Sequence, residues 1–209
     1  EGGASLFPIA YYDREAFLAQ SPQLYKEELT GAFEKVFEIA PIFRAEESHT
    51  RRHVSEATSV DLEEAFVSAE DVMRTLEELM QYVFKAVGDR CKPELETLRR
   101  RLKVPELPFP RYTYDQVLKG LGESGRRIPW GEDIGTAELR TLGRLHKGFY
   151  FIVDWPSRLK PFYIKPREDR PEVSEAFDLM HSWLEIASGG TRADTKELLV
   201  GRLKEQGLD

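Results

Sequence analysis

The stretch from Lys35 to Val67 constrains the fold more than any other part of the chain. Over 35–46 the residues alternate, with Phe37, Ile39, Pro41 and Phe43 on one face. Glu38, Arg44 and Glu46 lie on the other, with Ala40 and Ile42 between them. A polar loop follows, and the chain returns from about Ala57 to Val67. There Val60, Leu62 and Phe66 point one way, and Ser59, Asp61 and Glu63 the other. Period-two alternation on both sides of a polar loop predicts an antiparallel hairpin with one apolar and one charged face. A half-buried antiparallel sheet leaves such a charged face to solvent, so the charges by themselves need no special cause.

The rest of the chain reads as helices and further strands. Phe7 to Tyr12 has the pattern of a short strand, and Ser21-Pro22 opens a helix that runs to about Gly31. Val72, Leu76, Leu79, Met80, Val83 and Val87 recur at helical spacing and predict a helix from Asp71 to about Cys91. Shorter helices are expected at Pro93 to Leu102, Tyr114 to Leu121 and Thr136 to His146. Phe149 to Val153 is an apolar run between turn signals and predicts a buried strand. Phe162 to Lys165, Ser174 to Met180 and Trp183 to Ala187 follow as strands, with Ser188-Gly189-Gly190 breaking the last. Asp194 to Gln206 closes as an amphipathic helix stopped by Gly207. Paired strands, a helical insert and more strands predict the α+β class, an antiparallel β-sheet flanked by helices.

Composition narrows the function classes. The 209 residues hold 30 Lys and Arg against 37 Asp and Glu, a net charge of −7, so any anion site must be local. One cysteine, Cys91, excludes an intramolecular disulfide and a multi-cysteine metal site. No apolar run is long enough to span a membrane. No Walker-type loop and no nucleophile elbow occurs. The chain begins at Glu1 without a Met, and it is read as an excerpt of a longer polypeptide.

Three places carry residue types suited to chemistry. Arg44 ends a strand at the mouth of a loop holding Arg51, Arg52 and His53, and a guanidinium fork suits phosphate or carboxylate oxygens. Gln23 and Lys26 share a face in the first turn of a helix, where Lys26 could take a substrate carboxylate or simply be solvated among Glu27 and Glu28. Asp178 and Glu185, on adjacent strands, could share a magnesium ion that bridges phosphates. Arg192 follows two glycines that would let backbone approach a ligand, or would make a tight turn. Cys91 is read as a packing residue, His146 and His181 as isolated histidines with no partner at metal-ligand spacing, and Arg99-Arg100-Arg101 as a solvated helix face or a nucleic-acid contact.

Together these segments resemble a known family. Phe43-Arg44-Ala45-Glu46, the His/Arg loop and Ser59-Val60-Asp61-Leu62-Glu63 are similar to motif 2 of the class II aminoacyl-tRNA synthetases. Gln20-Ser21-Pro22-Gln23-Leu24-Tyr25-Lys26 resembles the amino-acid-binding segment of the aspartyl branch, in its archaeal type. Phe177-Asp178-Leu179-Met180 and Glu185-Ile186-Ala187-Ser188-Gly189-Gly190-Thr191-Arg192 resemble that branch's late strands.

The resemblance implies an aspartate–tRNA ligase that uses ATP and Mg2+. Arg44 would clamp the ATP α-phosphate and the activated carboxylate. Glu46 would hold the adenine side or the tRNA end, and Arg52 and His53 would reach the outer phosphates. Gln23, Lys26 and Arg192 would read L-aspartate, while Ser21, Asp61 and Glu1 would meet its α-ammonium. Asp178 and Glu185 would hold magnesium, with Ser188 nearby. The 209 residues would be the central part of the catalytic domain: motif 2 hairpin 35–67, helical insert 70–103, late strands 149–190 and closing helix 194–206. Motifs 1 and 3 and the anticodon-binding domain would lie outside them. Partners would be aspartate, ATP, tRNA and a second copy in a homodimer through segments outside the excerpt, in the cytoplasm and with no membrane. After Arg192 the family usually has Ile-His, whereas this chain has Ala193-Asp194. The alternatives are a synthetase-like paralogue without the anticodon domain, related to an asparagine synthetase, and a non-catalytic binding module.

Overall fold

A computed structural model describes residues 5–45 and 54–208. The chain divides into two compact units, 1–67 and 68–209.

In the first unit, β1 (Pro8–Tyr11) and β2 (Arg14–Phe17) form a small antiparallel hairpin. The sequence reading found one strand here. It missed β2 because Arg14 and Glu15 are charged and the strand is largely exposed. Helix α1 (Gln23–Phe33) leads into β3 (Lys35–Phe43), which pairs along its full length with antiparallel β4 (Glu56–Glu64). The register sets Glu38 opposite Asp61 and Val36 opposite Glu63. The expected hairpin is therefore present, but its faces are used in the opposite sense. Lys26 of α1 reaches Asp61 and Glu63, so α1 covers the face that carries the carboxylates. Phe37, Ile39 and Val60, on the apolar face, are exposed.

The second unit is built on a four-stranded sheet in the order β5 (Arg111–Thr113), β6 (Phe149–Val153), β7 (Ala176–His181) and β8 (Leu184–Gly190). β6, β7 and β8 run antiparallel, and the short β5 lies parallel to β6. Side-chain alternation divides the core in two. Tyr150, Ile152 and Met180 pack on one side against α4 (Tyr114–Glu123) and α5 (Thr136–Leu145). Phe151, Phe177 and Leu179 pack on the other side with Met73 of α2 (Ala69–Arg90). Both faces being covered explains why 149–153 is continuously apolar. Ser68 and Asp71 close a capping box at the start of α2. The short α3 (Lys92–Thr97) follows, and α6 (Lys196–Glu205) closes the unit.

Three expectations need correction. The helix expected from Pro93 to Leu102 spans only Lys92–Thr97, so Arg99-Arg100-Arg101 lie beyond its end and not on a helix face. Phe162 to Lys165 is not a strand; only an isolated bridge joins Ile164 to Arg192. Ser188-Gly189-Gly190 does not break β8 but completes it, paired with β7 through Gly190 opposite Ala176. The glycines serve this strand contact. A Cβ on Gly190 would lie 2.8 Å from the Glu175 carbonyl oxygen, and one on Gly189 would lie 2.6 Å from the Phe177 ring. Because the obstacle at position 190 is backbone, Gly190→Ala is expected to destabilise the protein by about 1–3 kcal/mol. Urea denaturation checks this, and unchanged stability would refute the packing account.

Candidate functional site

In the first unit the site begins with a buried cation. Lys26 lies in the first turn of α1, where the helix dipole disfavours positive charge. It is nevertheless only 5% exposed. Its Nζ lies 3.1 Å from Asp61 Oδ1 and 3.6 Å from Glu63 Oε2, both on β4. Gln23, one turn earlier on the same helix face, donates to Glu27 Oε1 at 2.8 Å and to Glu63 Oε2 at 3.3 Å. Ser21 Oγ accepts the Gln23 backbone N–H at 3.1 Å. The solvated-lysine reading is therefore excluded. Glu63 joins the cluster unannounced, having read only as one charge of an alternating strand.

A cleft of about 450 Å³ opens beside this cluster, lined by Ser21, Tyr25, Lys26, Leu29, Glu38 and Ile42 among others. One lysine faces two carboxylates, so the trio sums to −1, with Asp61 half-buried. Of the three, Lys26 lines the cleft; the cluster can offer a carboxylate to an ammonium and Lys26 to an anion. Arg44 lies just past the end of β3, exposed, with its backbone N–H bonded to Ser55 O at 3.0 Å. Glu1, Glu46, Arg52 and His53 lie outside the described residues.

The second unit holds the other predicted residues. Asp178 projects from β7 on the same side as Met180 and is 5% exposed. Lys160 Nζ donates to both of its oxygens, at 2.9 and 3.0 Å, and sits 4.3 Å from the centre of the Trp155 ring. Burial pushes the Asp178 carboxyl up to about 6, against the pull of Lys160 and with a further push from the negative Glu185. Ser188 is directly opposite Asp178 on β8, and Glu185 is opposite Met180 beyond a bulge. Both are exposed.

Lys160 is the residue that sequence reasoning missed. It lies in an irregular connector with no period to mark it, 18 residues before its partner. Helix α6 fixes that connector. Arg202 donates to Ser157 O at 2.8 Å and Gln206 to Lys160 O at 2.9 Å.

Arg192 is half-buried, its guanidinium 5.4 Å from the centre of the Tyr163 ring. Asp194, one of the two residues that depart from the family pattern, accepts from Lys165 Nζ at 2.9 Å, and the pair holds the start of the closing segment. His146 lies among Tyr112 and Tyr150, and His181 is exposed with its ring against Phe149. Cys91 is half-buried between α2 and α3 and is unpaired.

This geometry can be set beside known proteins. The family model for tRNA synthetases class II (D, K and N) matches residues 1–209. The chain belongs to this family. The resemblance read from motif 2 and the late strands is thereby borne out. Among curated relatives, the aspartate–tRNA(Asp/Asn) ligase of Archaeoglobus fulgidus is 52% identical over the whole of this chain and 49% of its own length. That of Methanopyrus kandleri is 51% identical over the whole chain and 48% of its own. The chain thus spans about half the length of the curated relatives it matches. Among solved structures, asparaginyl-tRNA synthetase from Pyrococcus horikoshii complexed with asparaginyl-adenylate aligns with TM-score 0.94 and 37% identity, over all of this chain and 49% of that one. The aspartyl-tRNA synthetase of Entamoeba histolytica aligns with TM-score 0.84 and 36% identity over 92% of this chain and 42% of that one. These matches bear out the α+β class II catalytic fold.

Lys160→Met tests the electrostatics at Asp178. Without the cation, the folded-state value of Asp178 is expected to rise above about 6. A carboxyl raised above its ordinary 3.8 favours the fold at low pH and loses that contribution as pH climbs through the folded value. The variant's loss of stability relative to the parent is therefore expected to grow as pH rises above about 6. Denaturation at pH 5.5 and pH 8 reads the difference, and an equal loss at both would show that Lys160 does not hold this charge.

Proposed function

We propose that the protein containing this chain activates L-aspartate with ATP and transfers it to tRNA, as an aspartate–tRNA ligase of the cytoplasm. The observation that carries the reading is the cluster of Lys26, Asp61 and Glu63 beside a cleft. Aspartate presents one ammonium and two carboxylates. Asp61 offers a partner for the ammonium and Lys26 for the side-chain carboxylate, with Gln23 and Ser21 alongside. Residues 1–209 then form the central part of the catalytic domain, with Glu1 in a segment that closes over the amino acid and Glu46, Arg52 and His53 on the ATP and tRNA side.

The chemistry needs no base or covalent nucleophile. The aspartate α-carboxylate attacks the ATP α-phosphorus in line, and pyrophosphate leaves. Positioning and neutralisation of charge supply the acceleration, and Arg44 would neutralise the reacting phosphate. A tRNA ribose hydroxyl then displaces AMP. Asp178 and Glu185, with Ser188, would hold magnesium, which supplies positive charge to the ATP phosphates. The donor set fits. It has more negative than positive charge, with Asp178 raised chiefly by burial although Lys160 holds it. Among the described residues no three His, Cys, Asp or Glu side chains gather into a cage, which suits an ion carried partly by phosphate oxygens. A homodimer belongs to the same proposal. No helix among the described residues is long and apolar enough to cross a membrane.

A second reading, asparagine as substrate, is favoured by the alignment with asparaginyl-tRNA synthetases. Lys26 opposes it, because a side-chain carboxylate would add a charge-assisted hydrogen bond at this ammonium that a neutral amide makes only weakly. The names of the relatives join the two cases differently: one aspartate-charging enzyme serving tRNA for both amino acids.

The test is amino-acid-dependent exchange of pyrophosphate into ATP by the full-length protein. Aspartate is expected to support exchange and asparagine to fail by at least a hundredfold. Lys26→Gln is expected to raise KM for aspartate at least tenfold while moving KM for ATP little. Equal exchange with asparagine, or an unchanged KM for aspartate, overturns the assignment of Lys26.

A further inference from the structure

Outside the site, a cluster of positive charge lies at the tip of the helical insert. Residues 85–102 hold six Lys and Arg against three Asp and Glu, on a chain whose net charge is −7. The structure gathers Lys92, Arg99, Arg100 and Arg101 around a groove of about 560 Å³ between the end of α2 and α3. Glu96 is the one carboxylate in its lining, and Leu95 and Leu102 supply apolar floor. All four cationic side chains are exposed.

Two features separate this cluster from an ordinary solvated face. Elsewhere in the unit Arg74, Arg111, Arg126, Arg158, Arg167, Arg170 and Arg202 each hold a carboxylate within 4 Å, while Arg140 lies over the Trp183 ring and Arg144 donates to Thr141 Oγ1. Among the described residues, neither Lys92 nor any of the three consecutive arginines has such a partner. The second feature is backbone. Helix α3 ends with Arg100 N bonded to Leu95 O, which places Arg99 in the left-handed region at φ 50°. Glycine suits that position best, and an arginine there gives up conformational energy. The dipole of a six-residue helix is satisfied by one cation near its end. Three successive arginines exceed that need.

We propose that this groove binds the phosphate backbone of tRNA, a contact that rests on the ligase reading and adds a second anchoring surface to it. Guanidiniums with no internal partner present their paired N–H groups outward, the arrangement that grips phosphate oxygens in two places at once. The chain is acidic overall, so a local basic cluster is what draws a polyanion to this surface. Such contacts position the nucleic acid without reading its sequence.

The experiment uses the full-length protein and an unmodified tRNA(Asp) transcript, with affinity measured across a series of salt concentrations. Replacing the three arginines together by Gln is expected to lower the slope of log K against log salt by about two to three, and to weaken binding at least tenfold at 0.15 M salt. The triple Lys replacement keeps the charge and is expected to retain most of the slope. Wild-type slope and affinity in the Gln variant overturn the proposal. So does an equal loss in both variants, since that marks a structural role. Vesicles rich in phosphatidylserine that displace the tRNA from the wild type at equal phosphate concentration also overturn it in favour of a lipid surface. Aspartate-dependent pyrophosphate exchange by the wild type is run in parallel and needs no tRNA. Its absence sinks the ligase reading, whereas its presence with an unchanged salt slope in the Gln variant sinks only this groove.

Discussion

A buried ammonium must be neutralised, and in the first unit that requirement decides which surfaces meet. Lys26 is placed at the end of α1 that repels it and is taken almost wholly out of water. It is tolerable only because Asp61 and Glu63 stand two residues apart on β4, on the same face. The pairing docks α1 onto the charged side of the β3–β4 hairpin and thereby forms the cleft. Removing one partner of a buried pair costs on the order of 3–5 kcal/mol, yet replacing the whole cluster by apolar groups could be neutral or stabilising. A fold chosen for stability alone has no reason to keep it. Use by a ligand gives it one.

The second unit makes the same choice on a strand that is otherwise apolar. β7 sends Phe177 and Leu179 into one core and Ala176 and Met180 into the other. Asp178 falls on the second side, where a leucine would pack without cost. Instead the carboxyl is held by Lys160, whose connector is clasped by Arg202 and Gln206 of α6. The closing helix therefore serves the electrostatics of a strand far from it in sequence. A titratable group kept in an unfavourable place by a dedicated partner is a physical marker of function.

The sequence revealed what periodicity and local chemistry can carry. The hairpin, the long α2 and the buried β6 were all legible, because each repeats a pattern over many residues. Gln23, Lys26 and Asp61 could be singled out by residue type and spacing, but their meeting could not, since it depends on how α1 crosses the sheet. The expectation that the apolar face of the hairpin would be the covered one failed for the same reason: alternation separates two faces without saying which is covered. Lys160 was invisible because irregular connectors have no period. Gly189 and Gly190 were visible but misread, because a glycine that admits a neighbouring strand looks like one that makes a turn. Arg14 and Glu15 hid β2, as charges do in any exposed edge strand.

The two clusters share a composition that bears on how substrates are received. Lys26 faces Asp61 and Glu63, and Lys160 holds Asp178 with Glu185 on the neighbouring strand, one cation for two carboxylates in each. Each carries a carboxylate surplus that suits a ligand bringing positive charge of its own, and in the first cluster Lys26 stays available to an anionic group on that same ligand. Arg44, exposed beyond the end of β3, is a further cation open to anions.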